Sequence, residues 1–193
     1  MTLRIEEKID IHESKLLIFK KWILQNKGKK IYSKRKINSI YFDTKNFQMY
    51  QDSEEGCNPR MKLRIRYYDE NNFYLEKKIS TQNDRSKSTR KIKLNEKRDL
   101  LKKGIFDRKY GLCSPNIIVS YMREYYSILS MRVTIDTNIQ YGLFNSIKNI
   151  REKSIVVEVK SNNLSQKDNI FNLFYFPRIR FSKYCRGISS FYF

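Results

Sequence analysis

A chain of 193 residues with 40 Lys+Arg against 20 Asp+Glu, a formal net charge of +20, repels itself unless anions are near. At 40% hydrophobic it can build a core, so global disorder is excluded. Three scattered cysteines (Cys57, Cys113, Cys185), no CxxC pair and a lone His12 exclude a disulfide framework, a structural zinc site and a Ser-His triad.

No apolar run reaches the ~18 residues that would span a bilayer, and Glu6, Glu7 and Asp10 make the N-terminus unlike a signal peptide. With reduced cysteines, these features predict a cytoplasmic setting. Only 6 Gly and 3 Pro interrupt the chain, which predicts one domain over residues 1–193. Composition alone points first to nucleic acid as the polyanion.

In chain order, 2–10 alternates as a strand, with Arg4, Glu6, Lys8 and Asp10 on one face. His12–Gln25 reads as a helix from the spacing of Leu16, Phe19 and Ile23, with Gly28 as its stop. Lys27–Lys36 reads as a basic loop. Ile37–Asp43 is a predicted strand, with Tyr41 and Asp43 facing away from Ile40 and Phe42. Thr44 is the predicted cap of a short helix to Ser53, and a turn at 55–59 follows.

Met61–Arg66 alternates Lys62, Arg64 and Arg66 with Leu63 and Ile65. Asp69–Asn72 turns the chain back into a strand over Phe73–Ser80, with Tyr74, Glu76 and Lys78 on one face. Lys87–Leu94 is the next strand, with Lys91 and Lys93 opposite Ile92 and Leu94. Asn95 is the predicted cap of a helix ending near Gly104. Strands are predicted at Ile117–Tyr126, carrying Arg123, at Met131–Thr137, carrying Arg132, Thr134 and Asp136, and at Ser154–Lys160, carrying Glu158 and Lys160. Lys167–Phe174 reads as helix, and Arg178–Phe193 as a turn or short strand and then a last helix.

An open sheet with one wet face mixes the signs of its exposed charges, because like charges in opposite positions destabilise. Here the polar faces collect cations with few acids. The expected fold is therefore α+β: an eight-stranded antiparallel β-barrel with a cationic lumen and helices packed outside. Such a lumen calls for a polyanion. Carboxylates among the cations suit Mg²⁺ or Mn²⁺ bridging phosphate oxygens.

The stretches Arg-Ile-Glu-Glu-Lys at 4–8, Ser-Ile-Tyr-Phe-Asp-Thr at 39–44 and Lys-Leu-Arg-Ile-Arg-Tyr-Tyr at 62–68 open an ordered set. Tyr-Leu-Glu-Lys-Lys at 74–78, Ser-Tyr-Met-Arg-Glu-Tyr-Tyr at 120–126 and Arg-Val-Thr-Ile-Asp-Thr at 132–137 continue it. Val-Glu-Val-Lys at 157–160 and Arg-Phe-Ser-Lys-Tyr at 180–184 complete it. In this set the chain resembles the VTC domain, the polyphosphate polymerase module of the triphosphate tunnel metalloenzymes.

The resemblance implies a triphosphate tunnel that takes ATP and growing polyphosphate, with nucleic acid an unlikely partner. It implies catalytic roles for Arg64, Arg66, Lys78, Lys91, Arg123 and Lys183. Phosphate contacts are expected from Lys8, Tyr41, Lys93, Arg132, Lys160, Arg180 and Ser182. Glu158 is the implied metal ligand, with Glu6 as a second, for Mn²⁺ or Mg²⁺. Arg180 stands where the family pattern expects Lys. The chain is read without the sensor domain and transmembrane segments of the eukaryotic complexes, so the resemblance does not carry regulation or product translocation over to it, and association with a separate membrane protein stays an open expectation. A tunnel triphosphatase and a non-catalytic polyanion-binding module are the alternatives. Related hydrolases pair glutamates on the first strand, whereas Glu7 here alternates away from Glu6.

Overall fold

The computed structural model describes residues 5–82, 84–161 and 177–193. The chain runs β1 (Ile5–Ile11), α1 (Glu13–Gln25), β2 (Lys29–Asp43), α2 (Gln48–Glu55), β3 (Arg60–Tyr67), β4 (Phe73–Ser80) and β5 (Arg85–Ile92). It continues with α3 (Leu94–Lys103), β6 (Ile105–Asp107), β7 (Gly111–Ile128), β8 (Met131–Leu143), β9 (Asn149–Arg151), β10 (Ile155–Ser161) and α4 (Lys183–Tyr192). The predicted strand residues 2–4 and the predicted helix at 167–174 lie outside the described residues.

The hydrogen-bonded order is β1-β10-β8-β7-β2-β3-β4-β5, with β6 added to β7 and β9 to β8. Every pairing with a defined register is antiparallel. The path has the expected eight strands, and β6 and β9 are short additions. The order ends at β1 and β5, and no pairing joins those ends among the described residues. The architecture is thus an α+β antiparallel sheet, and its hydrogen bonding does not show the expected closure into a barrel.

The chain forms two compact units. The first comprises Met1–Lys36, Tyr121–Ile139 and Arg151–Phe181. The second comprises Ile37–Ser120, Gln140–Ile150 and Ser182–Phe193. The long strands β2, β7 and β8 contribute to both.

In the first unit, alternation gives the sheet one apolar face. Ile9, Ile11, Val133, Ile135, Ile155, Val157 and Val159 form it, and Phe19 and Ile23 of α1 bury against it. The helix starts as expected, because His12 caps it by accepting from Ser14 N–H.

In the second unit, Ile40, Phe42, Met61, Leu63, Ile65, Phe73 and Ile92 form the apolar face, with Met49 of α2 and Leu100 and Leu101 of α3 against it. Asp43 positions α2: its Oδ1 accepts from Met49 N at 2.9 Å and its Oδ2 from Tyr50 N at 3.0 Å.

Four sequence expectations are corrected. Residues 29–36 are not a loop but the exposed first half of β2; Ile31 and Tyr32 within the basic run keep it extended. The helix expected at Thr44 starts at Gln48, with the Asp43 carboxylate and the Thr44 hydroxyl binding its first N–H groups. Strand β5 ends at Ile92, Lys93 is the cap residue of α3, and Leu94 and Asn95 are already helical. The last correction concerns α4. It packs on the polar side of the sheet and against α2: Tyr184 stacks on Tyr41 at 5.1 Å and donates to Asp43, and Tyr50 Oη and Ser189 Oγ lie 3.0 Å apart.

Candidate functional site

Strands β3, β4 and β5 of the second unit pair in a register that lines up their polar residues. The rungs are Arg60–Ser80–Arg85, Lys62–Lys78–Lys87, Arg64–Glu76–Thr89 and Arg66–Tyr74–Lys91. Strand β2 adds Tyr41 opposite Arg64 and Ser39 opposite Arg66. The three-stranded face therefore carries eight cations, Arg60, Lys62, Arg64, Arg66, Lys78, Arg85, Lys87 and Lys91, around the single carboxylate of Glu76. Three lysines share one rung, an arrangement that costs stability without an anion.

Glu76 is the hub. Its Oε2 accepts from Arg64 Nε at 2.7 Å and lies 2.6 Å from Arg64 Nη2, and its Oε1 accepts from Lys87 Nζ at 2.7 Å. Arg66 Nε stands 3.8 Å away. Burial pushes this carboxyl up, but Arg64, Arg66 and Lys87 outweigh it and hold the pKa at about 2. Arg64 also donates to Tyr41 Oη at 2.7 Å. Tyr41 is buried, which raises a phenol, yet Arg64, Arg66 and Lys62 bring it below its ordinary value. Ser39 is buried opposite Arg66, and its hydroxyl has no hydrogen-bond partner among the described residues.

The N-terminus of α4 reaches the same face. Ser182 accepts from Cys185 N–H at 3.2 Å and from Lys62 Nζ at 2.7 Å. Lys183 is the first residue of the helix. Anions are favoured where N–H groups and the helix dipole point outward together. Lys62 therefore anchors this helix end.

The first unit carries a second cluster on the polar face of β1, β10 and β8. Its rungs are Glu6–Lys160–Arg132 and Lys8–Glu158–Thr134. Lys160 Nζ bridges Glu158 Oε1 at 2.7 Å and Glu6 Oε2 at 3.2 Å. Lys8 donates to the Phe181 carbonyl at 2.7 Å. On β7 and β8, Arg123 grips Asp136 through two bonds of 2.6 Å. Burial opposes the charge of Arg123, but Asp136, Tyr121 and Glu158 raise its pKa well above the ordinary value. Burial likewise pushes Glu158 up, but Lys160, Arg123 and Lys8 hold it at about 2. Arg132 and Arg180 are exposed.

These carboxylates suit a hard divalent cation. One ammonium already sits between two acids from neighbouring strands. Glu158 is a carboxylate at neutral pH, and Thr134 directly opposite has a buried hydroxyl without a hydrogen-bond partner among the described residues. No group of three His, Cys, Asp or Glu side chains that could cage a metal occurs among the described residues. The donor set would give such a cation one or two carboxylates, with its other oxygen ligands coming from elsewhere.

Within the second unit the structure brings together Tyr41, Arg64, Arg66, Lys78, Lys91, Ser182 and Lys183. Within the first it brings together Glu6, Lys8, Arg123, Arg132, Glu158 and Lys160. Lys93 is off the β5 face, at the start of α3. Arg60, Arg85 and Lys87 share the cationic face and were not singled out from sequence. The alternation that exposed Lys91 extends back to Lys87 and Arg85.

The VTC domain family model matches residues 3–111 and 105–192. Among solved structures, an adenylate cyclase candidate from Bacillus halodurans superposes with a TM-score of 0.67 at 16% identity, covering 100% of each chain. An adenylyl cyclase candidate from Hippeastrum, described as having a dominant triphosphatase activity, gives 0.63 at 13% identity over 97% of this chain and 96% of its own. An adenylate cyclase candidate from Vibrio parahaemolyticus gives 0.60 at 12% identity over 96% of this chain and 97% of its own. These likenesses show a shared fold. No curated protein sequence matches this chain.

Proposed function

Because the chain belongs to the VTC domain family, within the triphosphate tunnel metalloenzymes, we propose that it is a metal-dependent polyphosphate polymerase, with the whole chain working as one catalytic domain. It transfers the γ-phosphate of ATP to a growing inorganic polyphosphate. The observation that carries this reading is the cationic face of β3–β5, with its Lys62–Lys78–Lys87 rung and a single internal carboxylate.

Phosphoryl transfer asks for positioning and charge neutralisation and needs no side-chain nucleophile. The planar forks of Arg64 and Arg66 clamp phosphate oxygens bidentately, and Lys78, Lys87 and Lys91 act as point charges along the chain. A terminal oxygen of the acceptor forms a bond to the γ-phosphorus, the bond to the β–γ bridging oxygen breaks, and ADP leaves. Ser182 and Lys183, at the positive end of α4, hold the acceptor or the γ-phosphate. Tyr41 fixes Arg64 from behind. Lys8, Arg123, Arg132, Lys160 and Arg180 contribute positive charge for phosphate. Glu158, with Glu6, would hold Mn²⁺ or Mg²⁺, which supplies charge neutralisation between phosphate oxygens.

A tunnel triphosphatase is the second reading, favoured by the Hippeastrum protein's described activity. Glu7 supports the polymerase. It pairs with Val159 on the opposite face from Glu6, and its carboxylate is held by Arg178 at 3.2 Å. Among the described residues, Glu6 and Glu7 thus do not pair on one face of β1. Incubation of pure protein with ATP and Mn²⁺, followed by a gel stained for long polyphosphate, tests the proposal. A ladder supports polymerase, orthophosphate without polymer supports triphosphatase, and intact ATP supports a binding module.

A further inference from the structure

Helix α1 is apolar on two sides. Phe19 and Ile23 are fully buried on the core side. At 100° per residue, Leu17, Ile18, Lys21 and Leu24 fall together on the opposite arc. Leu17 is 63% exposed, Ile18 59% and Leu24 61%. Single exposed aliphatics are ordinary on protein surfaces. Three on one arc of a 13-residue helix form a patch that calls for a cover.

The surrounding charge says what kind of cover. Lys15 and Lys21 lie on the helix, and Lys27, Lys29 and Lys30 follow it; all are exposed, and Glu13 is the acid at the start. Cores of protein–protein interfaces are depleted in lysine, whereas Lys21 sits in the middle of this patch. A lysine there can lay its methylene stem among acyl chains and lift its ammonium to phosphate headgroups. Aliphatic side chains ringed by lysines are the pattern of a helix lying in a lipid interface. No helix among the described residues is long and apolar enough to cross a membrane, so contact through α1 would be peripheral.

We infer that the outer face of α1 docks the protein on an anionic lipid surface, with Leu17, Ile18 and Leu24 entering the interface and Lys21, Lys29 and Lys30 meeting the headgroups. This docking is independent of the activity proposed above, and its test uses no nucleotide.

The test is co-sedimentation of the full chain with phosphatidylcholine vesicles containing or lacking phosphatidylserine. Trp22, the one tryptophan of the chain, is half-buried beside the patch, so its emission gives a second readout. Binding to the anionic vesicles is expected, with a blue-shifted Trp22 and release by salt. The double variant Leu17→Asn/Leu24→Asn should reduce the bound fraction by about tenfold or more. Lys29→Gln/Lys30→Gln should weaken binding to anionic vesicles while leaving the helix content by circular dichroism unchanged. Absence of binding overturns the inference, as does equal binding to neutral vesicles. Undiminished binding by the leucine variant overturns it too. So does a concentration-dependent dimer that the leucine variant abolishes, because a second copy would then cover the face.

Discussion

Arg123→Met tests the first-unit cluster at its most buried bond. Asp136 is 1% exposed and accepts two bonds of 2.6 Å from Arg123. Methionine keeps much of the stem and removes the charge, taking the guanidinium away from the buried carboxylate. Breaking a buried pair from one side costs about 3–5 kcal/mol. Protonation of Asp136 sets an upper bound. From an ordinary aspartate pKa of about 3.9, neutralising the acid near pH 7 costs about 4 kcal/mol, at about 1.36 kcal/mol per pH unit. Near pH 5 the same bound falls to about 1.5 kcal/mol. Urea unfolding of both proteins at the two pH values reads the difference directly. The variant should lose about 3–4 kcal/mol near neutrality and distinctly less in acid. Adding Asp136→Asn should recover much of the loss. A neutral-pH loss below about 1 kcal/mol, or one that does not shrink in acid, would refute the assignment of this pair as a buried charge lock.

Arg64→Ala/Arg66→Ala should abolish polymer synthesis while circular dichroism stays native; retained synthesis would move the triphosphate seat elsewhere. Glu158→Gln should shift the metal titration of activity to higher Mn²⁺ or Mg²⁺, and an unchanged titration would place the ion on other ligands. Glu76 and Glu158 are both held at about 2, below the ordinary glutamate value of 4.5. Their stabilisation is therefore complete above about 4.5 and is lost as pH falls towards about 2. Urea midpoints followed through that window should drop, and Glu76→Gln should flatten the drop. Ser182→Ala should cost about 1 kcal/mol of stability through the lost cap of α4, seen as a lower unfolding midpoint.

The β3–β4 hairpin was readable because period-two alternation and the Asp69 turn agree. The Asp69 carboxylate accepts from the N–H groups of Asn71 and Asn72, both at 2.8 Å, and the register then places Arg64 beside Glu76. The first half of β2 was not readable, because eight consecutive exposed residues leave no burial periodicity to detect. Lys93 was misplaced because the polar–apolar alternation of β5 runs on into the first residues of α3. The side chosen by α4 is a tertiary matter. Its apolar residues predict a buried face, but only Tyr184 meeting Tyr41 and Asp43 says which face of the sheet receives it. The first-unit carboxylates Glu6 and Glu158 were readable as types, whereas the bridging position of Lys160 depends on pairing across strands.

Glu76 has a consequence for what the face will accept. A fixed carboxylate that already satisfies Arg64 and Lys87 is an intramolecular competitor, present at a high effective concentration. A singly charged ion offers these cations little that Glu76 does not already give them. A polyanion engages Lys62, Lys78, Arg66 and Lys91 at the same time and gains from every rung at once. The internal acid thereby acts as a threshold on ligand valence. On the proposed reading, it would keep an ion such as chloride from saturating the face while leaving the face open to ligands of higher charge.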